Sequence, residues 1–279
     1  MAATPPDAAA IAAEAARYFR RWRLKPDGAA LVTHSSSLHP VIFGGLPAML
    51  KLPFHPEERD GGVLMEYWAG DGAAEVYDRD DAAILLERAT GTRSLAAMAR
   101  AGRDDEASRI LFMAASRLHA LRPAPRPDLV ALADWFRELW PMAARDGGRL
   151  AEAARIARAL LAEQQEPVTL HGDIHHDNVL DFGPERGWLA IDPKRLCGDR
   201  AFDFANIFTN PDLAIAGRPG RLERQLTVVA EAAALEPQRL LRGVAAWAGL
   251  SAAWWLGDGF EPELEFVVLD RALALLDNA

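Results

Sequence analysis

The hydrophobic pattern changes period along the chain. Residues 7–23 alternate as an alanine-rich amphipathic helix, with Arg17, Arg20, Arg21 and Arg23 on a solvated face. After Pro26-Asp27-Gly28 the texture becomes β-prone. Residues 30–52, punctuated by Gly44-Gly45 and Pro47, predict two or three antiparallel strands, the last spanning about 48–52 and carrying Lys51. Pro56, Glu57 and Glu58 suit a helix start, and a helix is expected to run to Trp68 across Gly61 and Gly62. Two further strands, 75–77 and 82–86, flank a DRDD turn.

From Ser94 onward a period near 3.6 dominates, with helices expected at about 104–120, 128–145, 149–164, 201–209, 220–233, 237–256 and 262–277. Short strands at 168–170 and 188–191 interrupt them. The expected fold class is α+β, with two lobes: residues 1–90, a small antiparallel sheet with one inserted helix behind the leading helix, and residues 91–279, mostly helical and about twice as long.

Composition narrows the functional classes. The 279 residues carry 31 basic and 40 acidic side chains, a formal charge of -9, which disfavours a general nucleic-acid or anionic-membrane binder and suits cationic substrates better, although many soluble proteins are acidic without that meaning. Cys197 is the single cysteine, so no internal disulfide is expected. The first residues lack a signal-peptide pattern, and no apolar stretch is long enough to span a bilayer, which makes the cytoplasm the expected location; a monomer or weak dimer is the expected form.

The chemistry concentrates in Leu170–Phe208, LHGDIHHDNVLDFGPERGWLAIDPKRLCGDRAFDFANIF. Gly172 permits a tight turn after the strand 168–170, which would deliver Asp173 to a lobe surface as a base for an acceptor hydroxyl. Asn178 follows five residues later, the offset at which a kinase catalytic loop places a metal-binding amide. Asp192, at the end of the strand 188–191, is the second expected magnesium ligand. An isolated D-x-x-x-x-N is more often an ordinary turn, and His171, His175 and His176 raise zinc as an alternative. The H-E-x-x-H spacing of a zinc helix is missing, however, and oxygen donors match magnesium better.

Lys51 strengthens the case, because a lysine on the third strand of a small sheet, before a helix bearing a glutamate, is how kinases hold the α- and β-phosphates of ATP. Glu58 is the expected partner, with Glu57 and Asp60 as alternatives. The chain contains neither G-x-G-x-x-G nor a Walker A sequence; Ser35, Ser36 and Ser37 are candidates to cover phosphates, or simply a serine-rich turn. Backbone groups of Glu87 and Ala89, where the lobes join, are candidates for the adenine edge, and Asp203 is expected to brace the HGD loop. Asp258, Glu261 and Glu263 are candidate contacts for an amino or guanidino substrate, or simply solvated charges, and Trp254 and Trp255 read as core.

LHGDIHHDN (Leu170–Asn178), GWLAIDP (Gly187–Pro193) and LSAAW (Leu250–Trp254) resemble the aminoglycoside phosphotransferase family, in particular its streptomycin 6-kinase and hydroxyurea-resistance kinase branch. The similarity runs over nearly the whole chain beyond the first 25 residues. It implies a protein-kinase-like fold that uses ATP and Mg2+ to phosphorylate a hydroxyl of a small antibiotic, with Asp173 as base, Asn178 and Asp192 on the metal and Lys51 on the phosphates. Lys194, directly after the Ile-Asp-Pro turn, sits awkwardly beside a cationic substrate such as streptomycin. A kinase of another small alcohol (a sugar, choline-like or amino-alcohol metabolite) and a nucleotide-binding pseudokinase scaffold are the alternatives.

Overall fold

A computed structural model describes residues 7–55 and 61–278. Its fold is α+β. A leading helix, Ala8–Arg21, packs on an antiparallel sheet whose principal strands are ordered Ser36–Phe43, Leu46–Pro53, Ile84–Glu87, Val76–Arg79. Gly44 and Gly45 close the hairpin between the first two at φ +57° and +90°, backbone conformations that side-chain-bearing residues resist. Tyr18, Trp22, Val41, Leu50, Leu52 and Leu85 form the core between helix and sheet.

The helix expected at 56–68 is described from Gly61 to Trp68; Pro56, Glu57, Glu58 and Asp60 lie outside the described residues. The two glycines that interrupt its pattern have a packing reason. A Cβ on Gly61 would stand 2.3 Å from the carbonyl oxygen of Pro193, and one on Gly62 would stand 2.6 Å from Arg79 Cδ. The helix therefore seats directly against the turn that carries Asp192. Leu64, Met65 and Trp68 join the larger core with Leu111, Leu118, Leu170, Ile174 and Leu189, and Trp68 Nε1 donates to the carbonyl of Leu118 at 3.1 Å.

The C-terminal part is helical, with Asp104–His119, Gly148–Ala162, Arg221–Ala233, Pro237–Gly257 and Glu263–Asp277 as its long members. The helix expected at 128–145 is broken instead. Val130–Ala131 pairs parallel with Leu196–Cys197, then Leu132–Trp135, a 3-10 turn at Phe136–Glu138, and Leu139–Asp146 follow. Pro141 explains the restart, since a residue without an N–H fits only the first turn of a helix. The strand Leu196–Asp199, too short and glycine-bearing to stand out in the sequence, pairs antiparallel with Pro167–Leu170. The helix expected at 201–209 is an α-turn, Ala201–Ala205, continued as 3-10 through Asn206–Thr209. Among the described residues no helix is long and apolar enough to cross a membrane.

Candidate active site

Sheet and helical region face each other across a cleft of about 850 Å³, whose walls include Lys51, Asp173, Asn178, Asp192 and Lys194. Lys51 arrives on Leu46–Pro53, its side chain buried, and its Nζ forms an ion pair with Asp192 Oδ1. Two residues 141 positions apart thereby connect the sheet to the helical region. Burial acts to raise the Asp192 carboxyl, but Lys51 and Lys194 outweigh it and hold the group below the usual carboxylate range. Asp192 itself sits at φ 63°, and Arg195 at φ 54°, a left-handed conformation that non-glycine residues seldom adopt and that is common at functional turns.

The HGD loop is held from below. Asp203, fully buried, accepts the backbone N–H of Gly172 at 2.6 Å and of His171 at 2.9 Å, and its Oδ2 lies 2.8 Å from His119 Nε2. Burial pushes its carboxyl up; His119, His171 and the loop N–H groups overcome that and leave it lowered. The bracing role expected for Asp203 is the one its geometry displays. Gly172 has φ +81°, and a Cβ there would meet Leu196 Cδ1 at 2.7 Å, so the turn requires glycine.

His171 donates from Nε2 to the carbonyl of Ile191 at 2.8 Å and accepts the Asp173 N–H on Nδ1 at 3.2 Å, the tautomer this pairing demands. Burial lowers its pKa and keeps the ring neutral. The ring is stacked on Trp68 with an interplanar angle of 7°, and Lys194 N donates to the His171 carbonyl at 2.7 Å. The HGD and Ile-Asp-Pro turns are thus stitched to each other and to the N-terminal helix Gly61–Trp68.

Asp173 projects into the cleft between four polar neighbours. Asn206 Nδ2 donates to its Oδ1 at 2.9 Å and Asn178 Nδ2 to its Oδ2 at 3.2 Å; His175 Nε2 and Lys194 Nζ stand at 3.8 and 3.9 Å. Because Asn178 spends its amide N–H on Asp173, its amide oxygen faces the other way. That oxygen and the Asp192 carboxylate are hard donors of the kind magnesium takes alongside phosphate oxygens. Among the described residues no group of three or more His, Cys, Asp or Glu side chains is gathered to hold a metal, so the histidine cluster raised for zinc does not assemble.

The remaining sequence candidates divide. Ser35 and Ser36 line the cleft, in a turn that Thr33 closes by accepting the Ser36 N–H on Oγ1 at 3.0 Å. Ser37 is buried and bonds to His39 Nε2 at 3.1 Å. Glu87 and Ala89 line the cleft at the junction, where the Glu87 carboxylate pairs with Arg186 at 2.9 Å. Asp258, Glu261 and Glu263 are exposed beyond the end of the helix Pro237–Gly257 and are not among the cleft-lining residues. The buried acid of that region is Glu265, which accepts from Ser251 Oγ and Trp255 Nε1 at 3.1 and 3.0 Å. Asn206, at the heart of the site, has no signal in the sequence beyond lying near Asp203.

The model of the aminoglycoside/hydroxyurea antibiotic resistance kinases matches residues 21–259. The chain belongs to this family. It is a kinase. A streptomycin 3''-kinase of Klebsiella pneumoniae is 54% identical over 86% of this chain and 91% of the relative. A streptomycin 6-kinase of Streptomyces griseus is 38% identical over 70% of this chain and 66% of that one. Among solved structures, an aminoglycoside phosphotransferase from Streptomyces rimosus in complex with ADP and streptomycin superposes with a TM-score of 0.56 at 19% identity, covering 87% of this chain and 98% of that one. A choline/ethanolamine kinase family protein from Mesorhizobium loti gives 0.65 at 14% identity, covering 95% of each. The fold of this kinase is accordingly the two-lobed, protein-kinase-like one expected from its motifs.

Proposed function

We propose that this kinase transfers the γ-phosphoryl group of ATP to a hydroxyl of streptomycin, with the 3''-hydroxyl as acceptor. The observation that carries the transfer reaction is the placement of Asp173 in the cleft facing the Lys51–Asp192 pair. Phosphoryl transfer demands positioning and charge neutralisation rather than covalent help from the protein. In this reading Lys51 holds the phosphates, Asp173 orients the acceptor hydroxyl and takes its proton, and the turn 33–36 covers the nucleotide, with Ser35 and Ser36 nearest to it. Backbone groups at Glu87 and Ala89 meet the adenine. Magnesium, held by Asn178 and Asp192, supplies neutralisation of phosphate charge when bound.

Streptomycin is supported by the relatives, and its 3'' position by the 54% identity to a 3''-kinase against 38% to a 6-kinase, which turns the expectation of a 6-kinase toward the other hydroxyl. Asp258, Glu261 and Glu263 stand as proposed outer contacts for the cationic acceptor. The test is incubation with magnesium, ATP and streptomycin, with the product read by mass and its phosphorylated carbon located by NMR. Phosphate on another streptomycin hydroxyl corrects the position, and product formed only from choline, sugar or amino-alcohol acceptors overturns the substrate. Asp173→Ala is expected to abolish turnover with nucleotide affinity kept; equal inertness of wild type and variant favours a scaffold.

A further inference from the structure

Asp173 has a partner that none of its motif neighbours supplies. Asn206 lies on the 3-10 turn Asn206–Thr209 and is 5% exposed. Its Nδ2 donates to Asp173 Oδ1 at 2.9 Å. An asparagine amide can rotate to exchange its oxygen and nitrogen, and here the surroundings forbid it. The amide oxygen accepts Thr209 Oγ1 at 3.0 Å and Asn210 Nδ2 at 2.9 Å, and Thr209 Oγ1 in turn accepts Trp247 Nε1 at 3.2 Å. Two donors on one end of the amide leave only its N–H end for the carboxylate.

We infer that Asn206 is a positioning residue for the transfer reaction: it fixes the rotamer of Asp173 through Oδ1, so that the carboxylate meets the acceptor hydroxyl in a single orientation. This rests on the reading of Asp173 as the group facing that hydroxyl. The chain of donors runs from Trp247, on the core helix Pro237–Gly257, to the cleft, so the carboxylate takes its orientation from the rigid centre of the helical region rather than from its own loop. A carboxylate free to swing loses the near-attack geometry on which a positioned base depends.

Asn206→Asp and Asn206→Ala separate this role from a structural one. The aspartate keeps the shape and can still accept from Thr209 and Asn210, but offers Asp173 a like charge in place of a donor. Alanine removes both sets of bonds. A positioning role gives kcat in the order wild type, Asn206→Ala, Asn206→Asp, with losses of roughly tenfold and roughly hundredfold, and with KM for ATP and ADP affinity within twofold of wild type. A purely structural role reverses the variants, Asn206→Asp being the more active and more heat-stable, and that order overturns the inference. Thr209→Val, which loosens the amide without touching Asp173, is expected to lower kcat alone, and an unchanged kcat there counts against it. If Asp173→Ala retains turnover, the reading of Asp173 falls; if it is inactive while both Asn206 variants turn over normally, only the role of Asn206 falls.

Discussion

Asp203 binds the backbone of His171 rather than its ring: its Oδ2 accepts the His171 N–H at 2.9 Å, while Oδ1 takes the next N–H, of Gly172, at 2.6 Å. One buried carboxylate thereby satisfies both amides of a turn that leads into Asp173, and its Oδ2 also holds His119. Asp203→Ala leaves those two N–H groups without a charged acceptor in a dry site. A loss of about 3 kcal/mol is expected, read as a lower urea midpoint with an unchanged m-value, together with a fall in kcat.

Gly61→Ala tests the seat of the N-terminal helix on the Ile-Asp-Pro turn. The added Cβ would lie 2.3 Å from Pro193 O, so helix or turn must move. The expected result is destabilisation of about 1–3 kcal/mol and reduced turnover, because Asp192 is the residue before Pro193. A Gly61→Ala enzyme with wild-type kcat and melting temperature would show that the contact gives way without cost.

Lys51→Met removes the ammonium that pairs with Asp192 and leaves that carboxylate without this partner in the cleft. A rise in KM for ATP and a fall in kcat of roughly a hundredfold are expected from loss of one preorganised charge, measured by steady-state kinetics with far-UV circular dichroism to verify folding.

Asp181 predicts part of the acid limit of stability. Hydrogen bonds from Arg93, at 2.8 and 2.9 Å, are the main cause that lowers its pKa to about 2, against the opposing effect of burial. An unfolded aspartate titrates at about 3.9. A carboxyl lowered on folding stabilises the native state above the unfolded value, and that contribution is lost as pH falls from about 3.9 to about 2. Asp181→Asn is expected to flatten the pH dependence of the denaturation midpoint across this window and to lower its plateau near neutrality.

Neutralising Asp258, Glu261 and Glu263 together tests the acidic connection between the helices Pro237–Gly257 and Glu263–Asp277. Exposed charges steer a cationic acceptor but add little to its bound state. The triple change to Asn, Gln and Gln is expected to raise the streptomycin KM severalfold at low salt, with the difference vanishing at high salt and kcat unchanged.

The residues legible in the chain were those whose meaning is local. HGD with an asparagine five positions on, Ile-Asp-Pro after a short strand, and a lysine on the strand after the Gly-Gly turn are readable because strand ends and tight turns are specified by neighbours in sequence. The long helices were legible for the same reason, through their period; Asp104–His119, Arg221–Ala233 and Glu263–Asp277 lie within a residue of their expected ends. Where local pattern and structure differ, a distant partner decides the matter: the strand Leu196–Asp199 exists because Pro167–Leu170 and Val130–Ala131 flank it, and the break near residue 136 follows from that pairing and from Pro141.

The motif residues Lys51, Asp173, Asn178 and Asp192, which line one cleft, and the alternation of sheet and helix are therefore properties of the chain itself. Their supports are not. Asp203 under His171, Gly61 against Pro193 and Asn206 on Asp173 join positions separated by 32, 132 and 33 residues along the chain. Hydrogen-bond geometry and close packing choose such partners only after the core has folded, because a side chain's spacing in sequence says nothing of which distant atom comes within 3 Å of it.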